Sequence, residues 1–381
     1  MAAPGTAPIS ISLEASKGSG PVVTESLLAA MLRSHPQVSD LIFSPGRLPQ
    51  VGIHGQLAHV ESPGFPPLSA DDTRRIASDL IGNNKQAIST LREQGSCDIS
   101  FALPGLARFR VNVFIQRGSC AVVMRVIPTA IPDLDSLGMP AQVAEIADLR
   151  DGIVLVTGPR GSGKSSTLAS LLDVINRKRI CHIITIEDPI EFLHNHKRAT
   201  IHQRELHSDT PSIALALRAA LRQAPNVIFV SELRDRETTE IALEAAETGH
   251  LVLSSLNTLD VAQTWERIVG LFPPPEQAAA RTRLAKAARW VISQRLIPRR
   301  DTGQRVAAVE ILKVVPGTKE LQDASPISRQ TMLQILQKGA SEGMQHFDGE
   351  IEKLVRANIV DRETAVNYAV DPQQLRQELA N

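Results

Sequence analysis

The run Gly158-Pro159-Arg160-Gly161-Ser162-Gly163-Lys164-Ser165-Ser166 carries the groups a phosphate ester requires, spaced as G-x-x-x-x-G-K-[ST]. Gly161 and Gly163 let the backbone turn so that successive N–H groups face one point, and the positive end of a following helix faces the same point. An apolar run over residues 153–157 precedes the motif, and Ser166-Thr167-Leu168-Ala169-Ser170-Leu171-Leu172 continues it at helical spacing. A strand before and a helix after are the context that separates a phosphate cradle from a chance glycine-rich turn. ATP with Mg2+ is the expected ligand: Lys164 reaches the β and γ phosphates, the Ser165 hydroxyl sits on Mg2+, and Gly158, Arg160, Ser162 and Ser166 complete the cradle.

Two acidic stations follow. Ile186-Glu187-Asp188-Pro189-Ile190-Glu191 places three carboxylates just past one strand-like run, and Val230-Ser231-Glu232 places one past another. ATP hydrolysis needs a carboxylate to hold the Mg2+ shell and a second to orient or deprotonate water. One such acid alone also admits a plainer reading, as a helix cap or a solvated loop residue. Two at strand ends fall where ligands of open parallel sheets bind.

The elements that must position these groups change character along the chain. Residues 1–20 are rich in Ala, Pro, Gly and Ser and read as a flexible tail. Thr24 is expected to cap a helix carrying Leu27, Leu28, Met31 and Leu32; strands are expected over 40–43 and 51–53, with a hairpin turn at Gly55-Gln56. Helices then start near Ser69 and over 85–93, followed by strands over 98–103, 108–114 and 121–127. Residues 21–138 thus form an α+β domain with an antiparallel sheet and a Pro- and Gly-punctuated linker.

From residue 139 onward the order is βα: strands over 182–186, 227–230 and 251–255, a helix over 212–224 opened by Pro211, and a helix over 237–248 closed by Gly249. A mostly parallel sheet covered by helices follows. Pro273-Pro274-Pro275 is expected to open one long helix over 276–294, then a strand over 305–312, and the remainder is helical.

Composition bounds the alternatives. The 381 residues are 43% hydrophobic, 22% charged and 3% aromatic, with 41 Lys plus Arg against 41 Asp plus Glu. Neutral balance and few aromatics weigh against a nucleic-acid surface. Cys97, Cys120 and Cys181 are far apart, so neither a disulfide framework nor a zinc site is expected, and a reducing cytoplasm fits. No apolar run approaches the length of a spanning helix, so membrane association is expected through a partner.

The P-loop, the acidic box, Arg218-Ala219-Ala220-Leu221-Arg222-Gln223, Ser231-Glu232-Leu233-Arg234-Asp235 and Ala245-Ala246-Glu247-Thr248-Gly249-His250 together resemble the PilT-like secretion ATPases, motors of type IV pilus retraction. Arg108-Phe109-Arg110-Val111-Asn112-Val113-Phe114, Gln116-Arg117-Gly118 and Glu342-Gly343-Met344-Gln345 extend the resemblance to nearly the whole chain. It implies a RecA-like P-loop core behind a smaller PAS-like α+β domain, with carboxy-terminal helices. It also implies a cytoplasmic homo-hexamer working against an inner-membrane platform protein, with a paralogous retraction ATPase as a further partner. By resemblance, Glu232 stands in for the acid that holds Mg2+, Glu191 is the water-activating base with Glu187 as understudy, and Arg110, Arg125 and Arg117 are candidates to reach the γ-phosphate. His250 keeps the first position of the family's histidine box, although a lone His at a strand start is as often structural.

Three departures stand out. Asn257 occupies the position of the usual second histidine, Ser231 replaces a glycine, and residues 314–321 lack the A-I-R-N-L-I-R-E sequence of retraction ATPases. No tetracysteine insertion appears in the second domain, which argues against the pilus-extension branch. Asn257 leaves a second reading open, a nucleotide-binding accessory or regulatory ring subunit with weak hydrolysis beside an active paralogue.

Overall fold

The computed structural model describes residues 9–10 and 23–380, apart from 54–55, 63–64, 129, 302–303, 316–317, 319 and 324–325. The tail expected over 1–20, Ile9 and Ser10 excepted, the turn residue Gly55 and parts of the 314–321 loop lie outside the described residues. The chain divides into two compact units, Met1–Thr129 with Glu191–Leu193, and Ala130–Ile190 with His194–Asn381.

The first unit contains β1 (Ile9–Ser10), α1 (Thr24–Arg33), β2 (Val38–Phe43), β3 (Gln50–Ile53), β4 (Gln56–Glu61), α2 (Ala70–Ile81), α3 (Lys85–Gln94), β5 (Ser96–Leu103), β6 (Ala107–Gln116) and β7 (Ser119–Ile127). Its sheet runs β1-β4-β3-β2-β7-β6-β5, antiparallel except where β1 joins β4. Alternation decides the faces. Leu41, Phe43, Phe109, Val111, Val113 and Met124 turn inward against Leu28 and Met31 of α1 and Ile76 and Leu80 of α2, while the residues between them face outward.

Ser69 and Asp72 form a reciprocal capping box at the start of α2, an arrangement whose loss costs roughly 1 kcal/mol. Thr24, by contrast, is the first helical residue rather than the cap; Val23 holds the cap position without a side-chain bond, and the Thr24 hydroxyl donates to Asp79 on α2 instead. Arg117 and Gly118 both have positive φ, at 47° and 76°, the geometry of a two-residue type I′ hairpin between β6 and β7.

The second unit holds β8 (Gly152–Thr157), α4 (Lys164–Lys178), β9 (His182–Glu187), β10 (Thr200–Glu205), α5 (Ile213–Ala220), β11 (Val227–Val230), α6 (Arg236–Glu247), β12 (Leu251–Leu256), α7 (Val261–Val269), α8 (Gln277–Ala287), β13 (Ala288–Pro298), β14 (Arg305–Lys313), α9 (Glu320–Asp323), α10 (Arg329–Lys338), α11 (Phe347–Arg356), α12 (Arg362–Tyr368) and α13 (Pro372–Glu378). The sheet order is β10-β9-β11-β12-β8-β13-β14, parallel throughout except for the last pair. Every residue of β8, β11 and β12 is buried, as a sheet covered on both faces requires.

Two expectations are corrected here. The long helix over 276–294 ends at Ala287, and Ala288–Pro298 is a strand lying beside the P-loop strand. The stretch Trp290-Val291-Ile292 is bulky and β-branched, and its burial on both sheet faces outweighs the helical spacing that Ala and Leu set up before it. Pro211 precedes the cap rather than opening the helix: the Ser212 hydroxyl accepts the Leu215 N–H, and α5 stops at Ala220 rather than at residue 224. Thr200–Glu205, over which no strand is expected, is the edge strand β10.

At the opposite edge, Gln345 is stitched to β14. Its N–H donates to the Ile311 carbonyl at 3.1 Å, its carbonyl accepts the Ile311 N–H at 2.9 Å, and its side-chain amide donates to the Val309 carbonyl at 2.8 Å. The last helices pack a small core of their own around Phe347, Ile351, Leu354 and Leu375.

Candidate active site

The P-loop leaves β8 at Gly158 and enters α4 at Lys164, so its backbone N–H groups gather at a helix N-terminus. Two glycines are required by close approach. A methyl at Gly158 would overlap the Gln294 carbonyl, and one at Gly163 would stand 2.7 Å from Gln294 Nε2. Gln294 is thus a buried brace beneath the loop, and its Oε1 also accepts the Thr167 hydroxyl at 2.9 Å. Lys164 Nζ donates to the carbonyls of Gly158 and Pro159 at 2.8 and 3.0 Å, which holds the ammonium over the loop.

These residues fit a nucleotide phosphate. Ser162 Oγ is buried without a hydrogen-bond partner, and Gly161 turns at φ 78° with open space where its Cβ would stand. Arg160 is exposed, and Ser165 and Ser166 are half-buried on the first turn of α4.

The carboxylates stand on the same edge of the sheet, at the carboxy-terminal ends of neighbouring parallel strands. Backbone hydrogen bonds fix the spacing: Ser231 N–H to Ile186 O at 2.9 Å, Leu233 N–H to Ser255 O at 3.2 Å and Gly158 N–H to Leu256 O at 3.3 Å. Glu232 accepts from Asn257 Nδ2 at 2.7 Å on Oε1 and from Arg234 Nε at 2.9 Å on Oε2. Arg234 also donates to Asp188 Oδ2 at 2.9 Å, and its hydrogen bond to Glu232 raises the guanidinium pKa above its ordinary value. Glu187 is buried, and one of its oxygens accepts both Thr185 Oγ1 at 2.5 Å and Gln203 Nε2 at 2.9 Å. Glu191 is exposed.

In the first unit, Arg110 and Arg125 are direct cross-strand partners on β6 and β7, both exposed on the outward face. Arg125 Nε donates to Asp40 Oδ1 at 3.0 Å. Like charges directly opposite destabilise a sheet, so the pair is suited to an anion rather than to folding. Arg117 sits at the hairpin tip, roughly 20 Å along β6 from Arg110 at the ordinary rise of a strand.

A family model described as type II/IV secretion system protein matches residues 54–366. The chain belongs to that family. A type IV pilus retraction ATPase, PilT of Pseudomonas aeruginosa, is 41% identical over 88% of this chain and 95% of its own length. The type IV pilus ATPase PilU of the same organism is 33% identical over 89% and 87%. A crystal structure of the pilus retraction motor PilT with bound ADP superposes with a TM-score of 0.82 at 39% identity, covering 93% of this chain and 99% of that one. The fold is therefore that of the secretion ATPases, a RecA-like ATPase domain behind an amino-terminal α+β domain.

Within this family member the structure brings the P-loop, Glu232, Asp188 and Asn257 to one edge and leaves His250 elsewhere. His250 precedes β12, at the end of the sheet away from the P-loop; its Nδ1 lies 3.0 Å from the Ala245 carbonyl and its backbone N–H closes α6 on the same carbonyl. It is a helix-closing residue. Two participants escaped the sequence reading. Arg234 is visible as a cation two residues beyond Glu232 in a loop, where both side chains can meet. Gln294 carried no signal, because the segment containing it reads as a helix.

Proposed function

We propose that this chain is an ATP-hydrolysing motor of type IV pilus retraction, driving twitching motility as a Mg2+-dependent homo-hexamer. It would act on the cytoplasmic face of the inner membrane, against a pilus platform protein and alongside a paralogous retraction ATPase. The observation that carries the reading is identity of 41% spread over 95% of the length of a pilus retraction ATPase, coinciding with a P-loop and acidic edge whose geometry suits phosphate transfer. Among the described residues no helix is long and apolar enough to cross a membrane, so attachment through partners is the form the proposal takes.

In this reading Lys164 and the loop N–H groups hold the β and γ phosphates. Ser165 and Glu232 would hold Mg2+, which would supply neutralisation of phosphate charge. Arg234 and Asn257 keep both oxygens of Glu232 in place. Glu191 is the base that orients and deprotonates water; Glu187 is the weaker candidate, since one of its oxygens already accepts two hydrogen bonds. Arg110 and Arg125 neutralise charge as the phosphate departs, with Arg117 at the hairpin tip as the third candidate. The accessory-subunit reading rests on Asn257, which accepts no proton at the position of the family's second histidine.

The test is steady-state phosphate release by the full chain and its Lys164→Ala variant, with a mass measurement of the assembly. Turnover is expected to fall by roughly 100-fold or more at unchanged thermal stability. Activity of the variant within about twofold of the parent would overturn the assignment of this loop, and a parent without turnover would favour the accessory subunit.

A further inference from the structure

We propose that Asp40 is a positioning residue for Arg125, seated by a β-bulge at Ser39 and by the absence of a side chain at Gly52. The inference rests on the reading of Arg110 and Arg125 as phosphate-facing groups and adds the device that aims one of them.

The device is a row across the outward face of the first sheet. In register, Asp40 on β2 stands opposite Arg125 on β7, which stands opposite Arg110 on β6, which stands opposite Ser100 on β5. Asp40 Oδ1 accepts Arg125 Nε at 3.0 Å, and Asp40 Oδ2 accepts the Ser39 hydroxyl at 2.7 Å. The Ser39 hydroxyl also lies 3.2 Å from the Gly52 carbonyl.

Ser39 is the extra residue where the pairing of β2 with β3 shifts between Val38 and Asp40. Such bulges re-aim side chains and are frequent beside active sites. Across the strand pair, a Cβ at Gly52 would stand 3.1 Å from Asp40 Oδ2, 3.2 Å from Asp40 Cβ and 3.3 Å from Ser39 Oγ. The notch at position 52 is therefore the space into which the Asp40 side chain leans.

Magnitudes argue against a role in folding. The Arg125 side chain is 74% exposed and that of Asp40 23%, and an ion pair in such surroundings is worth about 0–1 kcal/mol. A glycine inside a strand costs roughly 0.5–1 kcal/mol and the bulge gives up a ladder position. The sheet gains no more from the pair than it loses by building it.

The geometry suits orientation. Asp40 engages Nε alone, and among the described residues the two terminal nitrogens of Arg125 have no protein partner, nor does Arg110. One carboxylate at the end of a row holding two guanidiniums leaves a net positive charge beside the aimed fork, matched to a phosphate oxygen.

The experiment measures kcat, nucleotide affinity and thermal stability for the full chain carrying Asp40→Ala, Asp40→Asn, Gly52→Ala, Arg125→Ala, and Asp40→Ala with Arg125→Ala. Asp40→Ala is expected to lower kcat roughly tenfold, the scale of a misplaced group, with nucleotide affinity unchanged. Asp40→Asn, whose amide oxygen still accepts from Nε, is expected to recover part of the loss. Gly52→Ala, which keeps the carboxylate but crowds it, is expected to resemble Asp40→Ala. In the Arg125→Ala background, removal of Asp40 is expected to cost nothing further.

An unchanged kcat in Arg125→Ala would overturn the underlying reading of the arginine. A large loss in Arg125→Ala with full activity in Asp40→Ala and Gly52→Ala would overturn the positioning inference alone. Losses that multiply in the double variant would do the same, by showing that Asp40 acts independently. Should Asp40→Ala fold poorly, the Asp40→Asn and Gly52→Ala pair carries the comparison.

Discussion

Asn257 donates its side-chain amide to Glu232 Oε1 at 2.7 Å, tying the loop after β12 to the acid after β11. Asn and His both supply a donor here, but only imidazole can also gain a proton near neutral pH. Asn257→His is therefore expected to raise kcat severalfold with little change in nucleotide affinity, because Lys164 and the loop backbone are untouched. The gain is expected to vary between pH 6 and 8, around an imidazole reference pKa of about 6.5. An unchanged kcat across that range would leave Asn257 as a tolerated substitution and remove the main support for a regulatory subunit.

Gly158 and Gly161 are both in the left-handed half of backbone space, at φ 146° and 78°, yet they differ in surroundings. A methyl at 158 meets the Gln294 carbonyl and stands 2.5 Å from Ser162 Oγ, whereas one at 161 meets nothing. Gly158→Ala is expected to destabilise the second unit by about 2–4 kcal/mol, and Gly161→Ala by about 1 kcal/mol from backbone strain alone. Denaturant unfolding of the two variants decides it, and equal losses would show that Gln294 does not brace the loop.

Glu310, buried on β14, accepts the N–H of Val261 at 2.8 Å and lies 3.5 Å from that of Phe347, at the starts of α7 and α11. Burial nonetheless pushes its pKa up to about 7. The folded state thus holds a proton that the unfolded chain releases near its ordinary value of 4.5. Stability from this group is therefore greatest below pH 4.5 and declines as pH rises toward 7, by roughly 3 kcal/mol in all. Glu310→Gln is expected to flatten that component: the stability of the parent relative to the variant falls between pH 5 and pH 8. A constant difference over this interval would show that Glu310 stays ionised in the folded protein.

The parts of the site that are legible in the sequence are those written by local geometry. Gly161 and Gly163 mark the turn, Ser69 and Asp72 mark a helix start, and the apolar run before Gly158 marks a buried strand, each within a few residues. What escaped is set by partners distant in the chain. Ala288–Pro298 is a strand because β8 and β14 flank it, and neither neighbour can be inferred from its own spacing. Gln294 braces the loop only because this segment runs as a strand beside β8. Of the two readings open for His250, the structure shows the contacts of the structural one: it precedes β12 and closes α6 on the Ala245 carbonyl. The Asp40 and Arg125 pairing joins residues 85 positions apart, and no local pattern announces it.

Gln345 occupies the outer side of β14 with both backbone groups and its side-chain amide. Hydrogen-bonding groups so occupied offer no template for another chain's strand, which is how edge strands otherwise seed aggregation. The carboxy-terminal helices that hold Gln345 in place therefore act as a built-in guard against illegitimate strand addition. Truncation before Gln345 would strip that guard and leave β14 adhesive, and because Asn367, Tyr368 and Ala369 line a pocket with Pro159, Arg160, Gly161 and Ser162, it would also remove one wall beside the phosphate loop.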